Sequence, residues 1–301
     1  MIQWIASDIL PASTRLSRYV LTNPDFLLRA CESMEQDTVE ANHKFSLVLH
    51  DLRMGGTWKR TNRGRLKQTE RALCEQLAGK TRVTLLDLGA SDGVTTWEAV
   101  QTLRQSLGAQ VFALLADVNI YMCRYRKGPF VEYRAGDGEP IMVRIGRLGL
   151  RLSRRREALC ESPDPLATLY LRLTGLREGM QLDARISLIH PLVRAEPSIT
   201  ALEMNCLKRH EGLIDSVDAV RASNVLNHGY FRPEQIRAAV SHLHAYLHEG
   251  GCLVISTNID EAGGEVEQGT VWRKSGRRFE LIENFGSGSE VREIVEGWGA
   301  E

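Results

Sequence analysis

The chain has 301 residues, enough to bury a large core as one main domain with additions. Its 38 basic and 38 acidic side chains cancel, which excludes a global electrostatic pull toward nucleic acid. Six cysteines show no C-x-x-C or other zinc spacing, and no uncharged apolar run reaches the roughly 18 residues of a membrane span.

The opening stretch Ile2–Leu10 is short and contains Asp8, so it does not read as a signal peptide. The cytoplasm of a bacterium is the expected location. Residues 1 to about 80 read as a helical cap. Asp25–Met34 and Thr38–Leu52 carry apolar residues at helical intervals, and Arg63–Leu77 is amphipathic. Between them Met54–Gly64, with two adjacent glycines and Trp58, reads as a loop.

The stretch Val83–Val100, VTLLDLGASDGVTTWEAV, is the most informative. An apolar run ends in Asp87, a loop from Gly89 to Gly93 follows, and a helix pattern opens. Glycine lets the backbone take positive φ and come close to a ligand. The N–H groups of a helix start suit an anionic group. Strand, glycine loop and helix in succession describe a nucleotide-type cofactor site in an α/β domain. The dinucleotide fingerprint G-x-G-x-x-G is missing. Gly89–Gly93 also fits G-x-S-x-G, the nucleophile elbow of α/β-hydrolases, with Ser91 as nucleophile. His242, His244 and His248 follow later, but Pro233–Leu247 has the spacing of an amphipathic helix, which makes them packing or surface residues.

The next strand, Val111–Ala116, ends in Asp117, placed to bind both hydroxyls of a ribose. About 80 residues then separate Asp117 from the strand Ile199–Glu203, far more than a simple connection needs. Val131–Arg134 and Ile141–Ile145 flank the hairpin loop AGDGEP. Pro165–Leu173 reads as a helix and Ile186–Ile189 as a strand. The region from about 121 to 197 is thus an inserted β-rich subdomain, shaping substrate access or serving assembly. Tyr121, Tyr125 and Tyr133 near its start are packing residues or pocket walls. The basic groups RLSRRR and RKSGRR are solvated loops, or contacts to an anionic substrate. Further strands are Asp218–Ala222 and Cys252–Thr257, and TVWRKSGRRFELI supplies two more about a basic turn.

From about Val83 to about Gly297 the sequence resembles the class I S-adenosylmethionine-dependent methyltransferases. Asp87, Gly89 and Gly93 match their LDLGxGxG loop, with Ser91 in place of the middle glycine. VRASNVLNHGYF resembles their SNVLHH phrase, and HEGGCLVIS their PGG turn. The resemblance implies a Rossmann-like α/β sheet, S-adenosylmethionine as cofactor, and contacts from Asp87, Gly89, Ser91, Gly93, Asp117, Asn205, Ser223 and Asn224. Asn205 falls near the adenine, and Ser223 and Asn224 beside the methionine portion. The layout is also similar to the receptor glutamate methyltransferases of chemotaxis, with a helical N-terminal domain and a β-subdomain after the second strand. EMNCL and ASNVLNHGYF resemble their phrases. Where that subgroup has its T-x-F-F-R signature this chain reads HDLRMGGTWKR, so the layout carries over and a protein-glutamate substrate stays secondary.

The implied reaction is in-line methyl transfer to an acceptor, for which a small molecule is the first choice; protein and RNA acceptors and a homodimer stay open. A sulfonium-bound methyl is already electrophilic, so positioning carries most of the work and a base is optional. His228 and Tyr230, just past the fourth strand, are the candidate bases. A methyltransferase-like binding or regulatory protein without methyl transfer is the alternative, with the Ser91 hydrolase behind it. No metal cluster is expected.

Overall fold

The computed structural model describes residues 2–5, 20–21, 24–25, 45, 49, 53–54, 57–58, 63–152, 165–261 and 264–299. Strands β1 (Ile2–Ile5), β2 (Val20–Leu21), β3 (Arg53–Met54) and β4 (Thr57–Trp58) precede helix α1 (Lys67–Gln76). Then β5 (Arg82–Leu88), α2 (Val94–Leu107) and β6 (Gln110–Asp117) make one strand–helix–strand unit. Four strands follow, β7 (Tyr121–Lys127), β8 (Phe130–Ala135), β9 (Pro140–Ile145) and β10 (Leu148–Arg151). After them come α3 (Pro165–Arg172), α4 (Thr174–Arg177), β11 (Gln181–Ser187) and α5 (Pro191–Arg194). The chain ends through β12 (Ile199–Glu203), β13 (Val217–Ser223), α6 (Pro233–Tyr246), β14 (Leu247–Glu261), β15 (Gly264–Ser275), β16 (Arg278–Phe285) and α7 (Arg292–Glu296). No helix among the described residues is long and apolar enough to cross a membrane.

The chain divides into two units. The first joins the described residues before Asn62 to Asn119–Leu192; the second joins Asn62–Val118 to Val193–Glu301. This division differs from the expected one of a helical cap to about residue 80 and a separate insert. Strands β1 and β2 extend the insert's own sheet, and α1 belongs with the second unit. Most of the expected helices Asp25–Met34 and Thr38–Leu52 lies outside the described residues.

The first unit holds a seven-stranded sheet in the order β11-β7-β8-β9-β10-β1-β2. All its pairs are antiparallel except β1 with β2. Successive residues of a strand face opposite sides. Glu132 and Tyr133, neighbours on β8, therefore anchor two separate polar networks. On one side the buried Glu132 accepts hydrogen bonds from Tyr170 Oη at 2.8 Å, Arg177 Nε at 2.9 Å and Arg134 Nε at 2.5 Å. On the other, Asp25 accepts from Tyr133 Oη at 2.8 Å and Arg124 Nη1 at 2.9 Å, and also pairs with Arg144. Burial, together with Asp25, pushes the Tyr133 phenol above its ordinary pKa; burial and the bond to Glu132 do the same at Tyr170. Both phenols stay protonated and donate.

The second unit is an α/β sandwich about a seven-stranded sheet in the order β12-β6-β5-β13-β14-β15-β16. The first five strands are parallel, and β15 and β16 are antiparallel to their neighbours. This is the Rossmann-like sheet expected from the sequence. Its strands alternate between two apolar layers. Val83, Leu85, Val111 and Ala113 meet Leu73 of α1 and Val100 and Leu103 of α2. Leu86, Leu88, Val220 and Ile255 meet Ile236, Val240 and Leu243 of α6. Helix α6 starts where Pro233 presets φ and Arg232 N donates to Gln235 Oε1 at 3.0 Å. Helix α2 stops at Gly108, which takes φ +63° and returns its N–H to Arg104 O.

His244 of α6 is only 9% exposed and packs edge-on to Phe279 and against Trp298, with ring centroids 5.1 and 4.2 Å apart. Burial, then Lys274, pushes its pKa down to about 4, against the pull of Glu249 and of backbone groups at Gly276 and Arg278. The unfolded imidazole takes up a proton below about pH 6.5, the folded one only near 4. His244 therefore contributes full stability above about pH 6.5 and loses it as the pH falls toward 4. Allowing for solvent screening, the loss is of order 1–2 kcal/mol. Urea titrations at pH 7.5 and 4.5 should show a smaller acid loss in His244→Gln than in wild type. Equal losses would assign the acid sensitivity to other groups.

Candidate functional site

The site candidates gather along one edge of the second unit, at the carboxyl ends of its parallel strands. Strand order reverses between β5, whose other neighbour is β6, and β13, which leads on to β14. Ligands of open α/β sheets bind outside the strand ends at such a reversal. The loop after β5 folds over the end of β6, where Gly89 N and Ala90 N both donate to Ala116 O, at 2.8 and 3.2 Å. Ser91 N then donates to Asp117 Oδ2 at 2.9 Å. Asp92 is wholly buried and accepts Val94 N at 3.1 Å, closing a turn that leads into α2.

Two loop glycines have separate structural reasons. Gly89 takes φ +70°, and a Cβ there would lie 2.7 Å from Val225 Cβ. Gly93 takes φ +85°, and a Cβ would lie 2.2 Å from Leu115 Cδ1. At both positions a side chain would strike the protein itself, so substitution tests packing before it tests ligand approach.

Asp87 faces the interior and is 2% exposed. Arg221 of β13 pairs with it in register, Nε to Oδ1 at 2.9 Å and Nη2 to Oδ2 at 2.5 Å. Thr96 Oγ1 donates to the same Oδ2 at 2.5 Å. Burial alone would lower the pKa of Arg221; the charge and hydrogen bonds of Asp87 outweigh it and hold the guanidinium above its ordinary value. Asp117 is also buried, at 8% exposure, and closes its strand, its backbone O accepting Met204 N at 3.0 Å.

The remaining candidates extend this edge on both sides. Asn205, just past β12, accepts Leu207 N on Oδ1 at 2.9 Å and shapes a turn. Ser223 Oγ and Ser256 Oγ lie 2.8 Å apart, and Thr69 Oγ1 donates to Ser256 Oγ at 2.9 Å. Asn224 has φ +60°; its Nδ2 donates to Asn258 Oδ1 at 2.9 Å and its Oδ1 accepts Asn258 N at 2.7 Å. Beyond β13, His228 is exposed, and its backbone N–H donates to Glu290. Tyr230 is half-buried, its N–H donating to Asn227 Oδ1 at 3.0 Å.

Sequence reasoning missed Arg221, Thr96, Ser256 and Asn258. Arg221 had a signal: a charged residue between Val220 and Ala222 in a strand of the central sheet needs a buried counter-charge. The partnership of Ser256 and Asn258 with Ser223 and Asn224 depends on strand register, which the sequence does not print.

Burial pushes the pKa of Glu70, in the first turn of α1, upward, partly offset by Arg221. It pulls that of Arg65 down, against Glu265 and Asp92. Glu267 of β15 accepts Gln68 N at 2.8 Å and Thr69 N at 3.1 Å, fixing the start of α1. The strand ends thus carry a dense set of charges of both signs. Ser91 has φ +59°, as a strained elbow would, but its Oγ is buried with no hydrogen-bond partner among the described residues, so no described histidine is seated on it as a nucleophile's base.

No protein-family model and no curated protein matches this chain. Among solved structures, it is similar to the citrinin polyketide synthase CMeT domain, with 15% identity and a TM-score of 0.34 over 78% of this chain and 45% of that one. It is also similar to the 1,6-didemethyltoxoflavin-N1-methyltransferase of Burkholderia thailandensis, solved with S-adenosylhomocysteine. That likeness has 12% identity and a TM-score of 0.32 over 77% and 68% of the two chains. A third is an S-adenosylmethionine-dependent methyltransferase from Mesorhizobium loti, with 15% identity and a TM-score of 0.31 over 69% and 68%. The chain spans less than half the length of the first of these. At such scores the functional reading rests on this chain's own strand order and residues.

Proposed function

We propose that the second unit binds S-adenosylmethionine at this edge and transfers its methyl group to a small-molecule acceptor. Asp117 carries the reading: an acid at the carboxyl end of β6 that also holds the glycine loop through Ser91 N. It suits the two ribose hydroxyls, while the backbone of Gly89–Gly93 and the start of α2 suit the polar amino-acid end. Asn205 lies beside Asp117 on the adenine side, and Ser223 and Asn224 lie toward the methionine side. Asp87 fits less well as a direct ligand, because Arg221 and Thr96 already engage it.

When bound, the cofactor supplies a methyl group on a positive sulfur, already primed for attack. The chain's contribution is placement. Asp117 orients the ribose end, and the Asn224–Asn258 pair fixes the end of β13, where an acceptor would approach. Good alignment is worth roughly 7–11 kcal/mol in favourable cases, so a dedicated base is not required. His228 and Tyr230 stay the residues to test where the acceptor carries a proton.

Calorimetry with S-adenosylhomocysteine is the test. Wild type should bind, and Asp117→Ala should bind at least tenfold more weakly, since charge-assisted hydrogen bonds contribute roughly 1.5–3 kcal/mol each. A loss below twofold would move the ribose elsewhere. A labelled-methyl product screen then separates an enzyme from a protein that binds the cofactor without using it.

A further inference from the structure

Arg221 sits in a strand whose neighbours Val220 and Ala222 are wholly buried, and it is itself fully buried. A guanidinium in that place is stable only with a matched anion. Asp87 is that anion, one strand away and in register, and the pair spans β5 and β13 where strand order reverses. The same carboxylate also holds the first turn of α2. Thr96 Oγ1 donates to it, and Arg221 Nη2 reaches Thr95 Oγ1 at 3.4 Å.

The chain path gives this a consequence. Asp87 stands just before Gly89, and Thr96 just after Gly93. Both ends of the glycine loop are therefore fastened to one buried carboxylate, with Arg221 holding that carboxylate in place. Between the fastenings, Gly89, Ser91 and Gly93 all take positive φ. Ser91 pays conformational energy for this, since a residue with a Cβ disfavours that region. Such a bend persists only where its surroundings over-determine it, and the fastened ends do so.

We infer that Arg221 is a positioning residue: it is the counter-ion of Asp87 in place of any cation on a ligand, and through Asp87 and Thr96 it clamps the glycine loop in its binding shape. The inference rests on the reading that this loop binds the cofactor. The clamp acts through neighbours and touches no reacting atom. The two acids thereby take separate parts: Asp117, which accepts Ser91 N in the middle of the loop, keeps the proposed ribose role, and Asp87 fastens the loop's two ends.

The test uses two variants of the full chain. Arg221→Lys keeps the charge and loses the two-pronged fork. Asp87→Leu with Arg221→Met removes both charges together, so neither is left buried and unpaired. Each is checked for folding by circular dichroism, then measured by calorimetry with S-adenosylhomocysteine and by amide exchange over residues 88–97. The folded double variant should bind at least tenfold more weakly and exchange these amides at least tenfold faster, while amides of β13 and β14 keep their protection. Arg221→Lys should fall between it and wild type. A folded double variant with affinity within twofold of wild type and unchanged loop exchange would overturn the clamp. If wild type itself fails to bind, the cofactor reading falls, and the exchange of residues 88–97 alone decides the clamp.

Discussion

Gly93→Ala lowers the stability of the protein by about 2–5 kcal/mol, whereas Gly79→Ala costs only about 1–2 kcal/mol. The two glycines take nearly the same backbone angle, φ +85° and +82°. The penalty for a side chain in the left-handed region, about 1–2 kcal/mol, is therefore common to both. The difference lies in what a methyl group would meet. Around Gly79 there is nothing within 4 Å, but at Gly93 the new Cβ would sit 2.2 Å from Leu115 Cδ1 and 3.0 Å from Val193 Cγ1. Leu115 is wholly buried and Val193 nearly so, so any shift that relieves the clash must repack the core around them. Overfilling a packed site costs about 1–3 kcal/mol beyond the backbone term. Urea denaturation of the two variants measures the gap directly. Equal losses would mean that the backbone angle, and not the packing of α2 onto β6, sets the requirement for glycine.

Replacing residues 132–152 with a short glycine–serine linker should unfold the first unit and leave the second intact. As an inserted subdomain that shapes substrate access or serves assembly, this segment would be expected to affect turnover, acceptor choice or assembly when removed. The sheet order predicts a larger effect. Strands β8, β9 and β10 are the three middle positions of seven, so their loss leaves β11 with β7 on one side and β1 with β2 on the other. Two-stranded ribbons are marginal in water. The excision also removes the buried Tyr133, Met142 and Val143, and the Glu132 carboxylate on which Arg134, Arg177 and Tyr170 converge. The second unit has its own sheet and two apolar layers built from its own helices. Amide exchange read segment by segment should show residues 119–131 and 165–187 losing protection while β5, β6 and β13 keep theirs. Retained protection in β7 and β11 would show that the remaining strands re-pair without the middle of the sheet.

The second unit was legible because most of its elements announce themselves locally. The run ITALE became β12 with the same ends, Pro233–Leu247 became α6 within one residue, and the loop Gly89–Gly93 lies between a strand and a helix as its glycines require. The first unit was less legible. Strand β7, YMCRYRK, carries three charged residues whose partners, Asp25, Asp183 and the carbonyls of Gly175 and Glu178, come from distant parts of the chain, so its pattern does not alternate. The pairing of β1 with β10 joins residues from opposite ends of the first half of the chain, which no local signal encodes. Among the site candidates, Asp117 closes β6, the strand end at which the sequence reading put it. Asp87 was visible as an acid but not as half of an ion pair, because its partner is a matter of register. Gly89 was legible as a turn glycine, although the atom it makes room for, Val225 Cβ, was not.

The interleaving of the two units also shapes how the chain is made. Strand β1 is synthesised long before Leu148, the first residue of the strand it pairs with, so it must wait while the intervening residues are translated. At about 5–20 residues per second that wait is roughly 7–30 s. During it, Ile2–Ile5 is a strand edge without its antiparallel neighbour, the kind of segment that pairs with the wrong partner when left exposed. The second unit waits as well, since β5 is translated well before β13, its neighbour in the sheet. Neither unit can close from one continuous stretch of nascent chain. Slow assembly from distant segments is the kinetic signature expected of this molecule, and refolding from urea should be far slower than for a helical protein of equal length.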